Sequence, residues 1–284
     1  MRFGIIYSEK DFAGANIINQ LKKISFTPQI PIIKLKKELT FSKNLNFKFF
    51  PELKNLDFVI FASKHKSEKG QPSLCLHAPG NWRDAKFGGK SGEVCLTSAF
   101  VLKYLFKELN KNAKIIKEKL EITLEATHHG PSINIPCCFI EIGSCEEQWK
   151  DPLLGKILAK TILSLQNFDE KESKNKSKNE SKIQSKIKIK NKIPDKIKNY
   201  IPVIGIGGPH YCPSFNKIQL KTKYAISHII PKYILPLTPK ILKQAEGKTK
   251  EQIEKVLLDW KGLGKYKQET LDLLNKFDLK YEKI

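Results

Sequence analysis

No apolar run in these 284 residues reaches the roughly 18 to 20 that would span a bilayer, because Lys or Pro interrupts each one. The opening Met1-Arg2-Phe3-Gly4-Ile5-Ile6-Tyr7-Ser8 has neither the long apolar centre nor the small-residue cleavage site of a secretory signal. It reads as a buried strand, and a cytoplasmic protein without membrane contact is expected. The six cysteines (Cys75, Cys95, Cys137, Cys138, Cys145, Cys212) form no C-x-x-C pair and sit mostly in apolar segments, which excludes a zinc ribbon and a disulfide framework and predicts free, buried thiols. H-E-x-x-H, the P-loop and the full dinucleotide fingerprint are all missing. Acidic residues are scarce: 29 Asp plus Glu stand against 51 Lys plus Arg, a formal charge of +22, so the natural partners are polyanions.

What the chain does have is enough apolar substance for a core, with 40% hydrophobic and 10% aromatic residues. Short apolar runs alternate with longer amphipathic ones, the pattern of an α/β fold. Strands are expected at 3–7, 57–63, 73–77, 122–127, 138–142, 203–206 and 225–229, and helices at 14–24, 93–110, 153–165, 239–246, 250–258 and 265–277. In the helix at 93–110, Val94, Thr97, Ser98, Val101, Leu105 and Leu109 make the inward stripe, leaving Lys103, Lys107 and Glu108 in water. The expected architecture is a single α/β catalytic domain over 1–284, with a mixed central sheet flanked by helices and further helices at the C-terminus. A Lys/Asn/Ser-rich insertion at about 166–199 interrupts it. Eleven Lys lie between Lys171 and Lys198, and such a stretch buries too little apolar area to offset its ordering entropy.

Chemistry-bearing residues cluster in three segments that follow strand-like runs and are rich in Gly and Pro. They are Leu76-His77-Ala78-Pro79-Gly80-Asn81-Trp82, Leu124-Glu125-Ala126-Thr127-His128-His129-Gly130-Pro131-Ser132, and Gly205-Ile206-Gly207-Gly208-Pro209-His210-Tyr211-Cys212-Pro213-Ser214-Phe215. Pro fixes the backbone direction while Gly admits a ligand closely, and strand ends at one edge of an α/β sheet build a cleft. His77, His128, His129 and His210 supply enough imidazoles for a catalytic zinc, with Glu125, Asp84, Glu93 or Cys212 as supplements; histidines that merely close strand ends give the same spacing. In extended chain His128 and His129 would face opposite ways, whereas a turn at Gly130-Pro131 lets both converge. Glu125 is placed to accept a proton from water or to orient an imidazole. Amides at Gly207 and Gly208 are candidates for holding an oxyanion, or belong to an ordinary tight turn. Trp82, Phe87, Tyr211 and Phe215 are candidates for stacking on a base.

Taken together, the blocks His77-Ala78-Pro79-Gly80-Asn81-Trp82, Glu125-Ala126-Thr127-His128-His129-Gly130-Pro131 and Gly205-Ile206-Gly207-Gly208-Pro209-His210-Tyr211, preceded by Phe3-Gly4-Ile5-Ile6-Tyr7-Ser8, resemble the signature of the archaeal- and plant-type D-aminoacyl-tRNA deacylases. The resemblance implies hydrolysis of the ester between a D-amino acid and tRNA, dependence on zinc, a monomer, and a fold related to the peptidyl-tRNA hydrolase/phosphorylase-like group. The resemblance does not say which residues hold the metal; read from the three segments themselves, Glu125, His128, His129, Gly207 and Gly208 are expected to serve catalysis, and His77, His128, His129 and His210 to hold metal. Asn81, Trp82, Pro131, Pro209, Tyr211 and Phe215 then meet the acceptor end of tRNA. The rival readings are a peptidyl-tRNA hydrolase or nucleoside-processing hydrolase with a metal-free His/carboxylate site, and a non-catalytic RNA-binding protein.

Overall fold

A computed structural model describes residues 1–24, 30–68, 70–116, 118–168 and 200–284. Most of the Lys-rich insertion, from 169 to 199, lies outside the described residues. Ten strands and seven α-helices are described: β1 Phe3–Ser8, α1 Phe12–Lys23, β2 Ile32–Leu35, β3 Phe58–Lys66, β4 Ser73–His77, α2 Ala99–Asn112, β5 Glu121–Leu124, β6 Cys137–Ser144, α3 Glu146–Lys150, α4 Pro152–Leu163, β7 Ile201–Ile206, α5 Pro213–Lys221, β8 Tyr224–Ile230, α6 Pro239–Gly247, β9 Lys255–Leu258, α7 Lys267–Lys276 and β10 Tyr281–Lys283. Among the described residues no helix is long and apolar enough to cross a membrane.

The α/β class and the mixed sheet follow the expectation from sequence. A six-stranded sheet runs in the order β2-β1-β3-β6-β4-β5, parallel except where β4 meets β6. Its register sorts the side chains by face. Phe61, Ser63 and His65 on β3 align with Phe139, Glu141 and Gly143 on β6, and these with His77, Cys75 and Ser73 on β4. Since side chains alternate across a strand, one face carries this polar and aromatic set. The intervening residues Ile60, Ala62, Ile140, Ile142, Leu74 and Leu76 face the other way into a core shared with Ile17, Ile18 and Leu21 of α1, Val101 and Leu105 of α2, and Ile157, Leu158 and Ile162 of α4.

The C-terminal third departs from expectation. A second, all-parallel sheet runs β10-β9-β7-β8. Residues 250–258, expected to be helical, end in strand β9, because Val256-Leu257-Leu258 is a continuous buried run of the kind that a parallel strand covered on both faces requires. The expected helix at 93–110 begins only at Ala99, where the Ser98 side chain accepts the Val101 N–H. The preceding residues are extended, Val94 bridging Gly80 and Thr97 bridging Thr249. Lys103, expected in water, is fully buried. Its ammonium donates to the carbonyls of Gln219, Thr222 and Tyr224 at 2.6, 2.8 and 2.9 Å, and this ties α2 to the end of α5 and the start of β8. Val203, Ala225, Ile226 and Leu257 of the second sheet join the core beneath the first.

Candidate functional site

Backbone hydrogen bonds lace the three Gly/Pro segments together. Gly80 N–H donates to the carbonyls of His128 and His129 at 3.1 and 2.7 Å, and Ala126 N–H donates to the carbonyl of His210 at 2.9 Å. Gly80 has to be glycine: its φ is +139°, and a Cβ there would sit 2.3 Å from Val94 Cα. His129 takes a left-handed φ of 43°, so the adjacent rings of His128 and His129 converge, with centroids 4.2 Å apart. His77 lies 4.2 and 4.9 Å from those two rings, and His210 lies 4.6 Å from His128. All four expected imidazoles share one cluster. Phe139 floors it, stacking on His77 at 5.1 Å and meeting His129 edge-on at 4.7 Å.

Glu125, immediately past β5, is 2% exposed and sits at the centre. Its Oε1 is 3.0 Å from His65 Nδ1. Its Oε2 is 3.6 Å from both His128 Nε2 and His210 Nε2, and 4.0 Å from His77 Nε2. Glu141, from the same sheet face, brings its Oε2 within 3.6 Å of His77 Nε2. Burial opposes charge on Glu125, yet the imidazoles crowded around it, His210 first and then His128, His65 and His77, outweigh it and hold the carboxyl well below the ordinary range. Glu141 goes the other way: burial, then the neighbouring Glu125 charge, push it well above that range. Two carboxyls this close do not both ionise; Glu125 carries the charge and Glu141 keeps its proton.

Three of these imidazoles, those of His77, His128 and His129, are neutral. Burial is the main cause in each, bringing His77 to about 4, His129 to about 3 and His128 well below its usual value. Their Nδ1 atoms lie 3.2, 2.8 and 2.7 Å from the carbonyls of Ala78, Ala126 and Gly130. A carbonyl only accepts, so each ring carries its proton on Nδ1 and leaves Nε2 bare. His77 Nε2 and both Glu125 oxygens complete no directed hydrogen bond. A cluster of bare imidazole nitrogens and carboxylate oxygens is the donor set a divalent cation takes. Two groupings with ligand atoms within 4.8 Å of one another are His77/His128/His129 and Glu125/His128/His210, so the residues present fit a zinc ion.

The cluster opens into a cavity of about 470 Å³ lined in part by Asn81, Trp82, Phe87, His128, His210 and Tyr233. Tyr233 Oη lies 3.1 Å from His210 Nδ1. Asn81 shapes the rim, its amide donating to the carbonyls of Gly88 and Lys90 at 2.8 and 3.3 Å. Pro131 is buried and Pro209 is exposed beside His210. Tyr211 stands on the far side of the cluster, its Oη 3.2 Å from His65 Nε2.

Several expected site residues are placed elsewhere. Phe215 is fully buried against Gly205 and presents no face to a base. The Gly207 N–H already donates to the Ile230 carbonyl at 2.8 Å, and Gly208 N packs against Gly262, where a Cβ would sit 2.2 Å from it; these are the amides of a structural turn. Among the supplementary ligands, Asp84 is exposed, Glu93 pairs with Lys90 at 3.3 Å, and the Cys212 thiol donates to the carbonyls of Pro209 and His210. Burial pushes that thiol up, away from thiolate chemistry.

Sequence reasoning missed His65, Glu141, Phe139 and Tyr233. A signal existed for Glu141, a lone charge inside the apolar run Cys138-Phe139-Ile140-Glu141-Ile142. His65 has no Gly or Pro beside it and enters the site because β3 runs further than expected, to Lys66.

A family model described as D-aminoacyl-tRNA deacylase matches residues 52–282. A curated D-aminoacyl-tRNA deacylase of Methanocaldococcus jannaschii is 32% identical over 100% of both chains. One from Pyrococcus furiosus is 34% identical over 80% of this chain and 73% of its own. The crystal structure of a conserved protein of unknown function superposes with a TM-score of 0.80 at 24% identity, covering 99% of this chain and 94% of that one, and so shows the same fold.

Proposed function

Because the chain belongs to the D-aminoacyl-tRNA deacylase family, we propose that it hydrolyses the ester of D-aminoacyl-tRNA, releasing the free D-amino acid and tRNA, in the pocket where Glu125 meets the clustered imidazoles. The observation that carries the reading is the ionised, buried Glu125 within 4.0 Å of imidazole nitrogens from His65, His77, His128 and His210. A zinc ion would be held by His77, His128 and His129, whose Nδ1–H groups face carbonyls and leave their Nε2 atoms free. When bound, zinc polarises an ester carbonyl and lowers the pKa of water toward about 7.

The remaining work falls to the chain's own groups. Glu125 accepts the proton of the attacking water, since it is charged and its oxygens lack directed partners. His210, 29% exposed at the cavity mouth, returns a proton to the departing ribose oxygen, and Tyr233 Oη orients its ring. Glu141 stays protonated, which keeps a second negative charge off His77 and His65. Trp82 and Asn81 shape the wall against which the aminoacyl group lies.

The test is deacylation of D-Tyr-tRNA beside its L counterpart, with metal analysis of the same preparation, for the wild type and His128→Ala. Faster release of the D-ester, about one zinc per chain, and loss of both on substitution are expected. Equal rates for the two esters, or full D-ester turnover in His128→Ala, would overturn the assignment.

A further inference from the structure

Among the described residues, half of the exposed large hydrophobic side chains are phenylalanines in two touching segments: Phe41, Phe47, Phe49 and Phe87 are 54%, 68%, 57% and 68% exposed. The first three lie on the long connection between β2 and β3, and Phe87 lies on the rim of the catalytic cavity. The segments are in direct contact. The Thr40 carbonyl oxygen approaches Gly88 and Gly130 so closely that a Cβ would come within 1.9 Å of it at the first and 2.5 Å at the second, and Leu45 bridges Ile133 just beyond the paired histidines. Beside the rings a second cavity of about 510 Å³ is bordered by Lys36, Lys37, Phe41, Lys43 and Phe50.

Exposed phenyl rings cost solvation free energy unless something covers them, and the charge around these indicates what does. Among the described residues, Lys36, Lys37, Lys43, Lys48 and Lys86 make no ion pair with an acidic side chain; Glu38, the nearby carboxylate, is engaged by Lys64 at 3.8 Å. Unpaired ammonium groups alternating with open aromatic faces match a polyanion that also carries flat apolar rings, which is single-stranded nucleic acid. A duplex hides its base faces, and an apolar protein surface would leave the lysines unpaired.

Resting on the deacylase reading, we propose that the patch formed by Phe41, Phe47, Phe49 and Phe87 with Lys36, Lys37, Lys43 and Lys48 grips the single-stranded nucleotides that precede the esterified ribose of tRNA. Bases stack on the rings, phosphates pair with the lysines, and the terminal nucleoside passes Phe87 into the cavity beside His128 and His210.

The experiment uses the full chain and measures affinity for uncharged tRNA, intact or trimmed of its unpaired 3′ nucleotides, together with KM for D-Tyr-tRNA. Phe47→Ser/Phe49→Ser should weaken binding of intact tRNA and raise KM by about tenfold per base unstacked. Trimming should cost the wild type a similar factor and the double variant almost nothing. Replacing the four lysines by Gln should reduce the slope of log K against log salt by roughly 3. Ile115→Ser, an exposed apolar residue outside the patch, controls for surface effects. Intact-tRNA affinity unchanged in the double variant, as expected if the rings cover a protein partner, would overturn the proposal, and so would an undiminished cost of trimming. A wild type that binds tRNA through the rings but spares the D-ester would refute the deacylase reading while leaving the surface standing.

Discussion

The two faces of the six-stranded sheet are built from the same strands and do opposite things. On one, Ile60, Ala62, Leu74, Leu76, Ile140 and Ile142 pack under α1, α2 and α4. On the other, one residue away in sequence each time, Ser63, His65, Cys75, His77 and Glu141 stand in register around a carboxylate whose oxygens have no directed hydrogen-bond partner. Burying such groups costs roughly 1 to 3 kcal/mol each. The contrast teaches that the apolar face stabilises what the polar face strains, and that function and stability are separable by substituting neighbours on a single strand.

The largest effect should come from the polar side. Glu125→Gln keeps the volume and removes the charge, so the D-Tyr-tRNA turnover number should fall by about 10²- to 10⁴-fold; a fall below tenfold would mean another group takes the proton. Its counterpart across the sheet, Leu76→Ala, should cost about 2 to 5 kcal/mol by urea titration, since Leu76 is fully buried, with the active-site residues retained.

Acid should weaken the molecule through its buried neutral histidines. His228, fully buried between Thr127 and the Lys248 carbonyl, has a pKa lowered mainly by burial to about 4. The folded state therefore binds fewer protons than the unfolded one between about 4 and 6.5. The stability this gives is complete above 6.5 and is lost as the pH falls toward 4, on the order of 3 kcal/mol. His228→Gln should flatten that acid limb in thermal melts taken at successive pH values; an unchanged limb would count against it. The smallest effect should be that of Glu141→Gln. A carboxyl already held protonated exchanges for an amide of the same shape with a change of about 1 kcal/mol or less, and a loss of several kcal/mol would show that Glu141 is ionised.

Legibility in the sequence was uneven for physical reasons. The three His-Gly-Pro segments were visible because tight turns and close backbone approach demand Gly and Pro at particular positions, and Gly80 shows why. Strand β9 reads as helix in the sequence because a short apolar run has the same composition in a buried parallel strand as in a helix. Lys103 looked like a wet helix position, since helical periodicity cannot know that the carbonyls closing α5 will arrive above it. The second sheet was invisible for a related reason: β7 and β8 read as strands, but nothing local says which other strands they pair with.

By itself the amino-acid sequence determined the α/β class, the polyanion-seeking charge, and the imidazoles of His77, His128, His129 and His210 on three segments, because composition, periodicity and turn chemistry are local properties. Only the tertiary structure decided that those segments share one cavity, that Glu125 is charged while Glu141 is not, that His65 joins them, and that Phe215 and the Gly207 amide do not. Those outcomes depend on register and burial, which arise when strands distant in sequence are brought together.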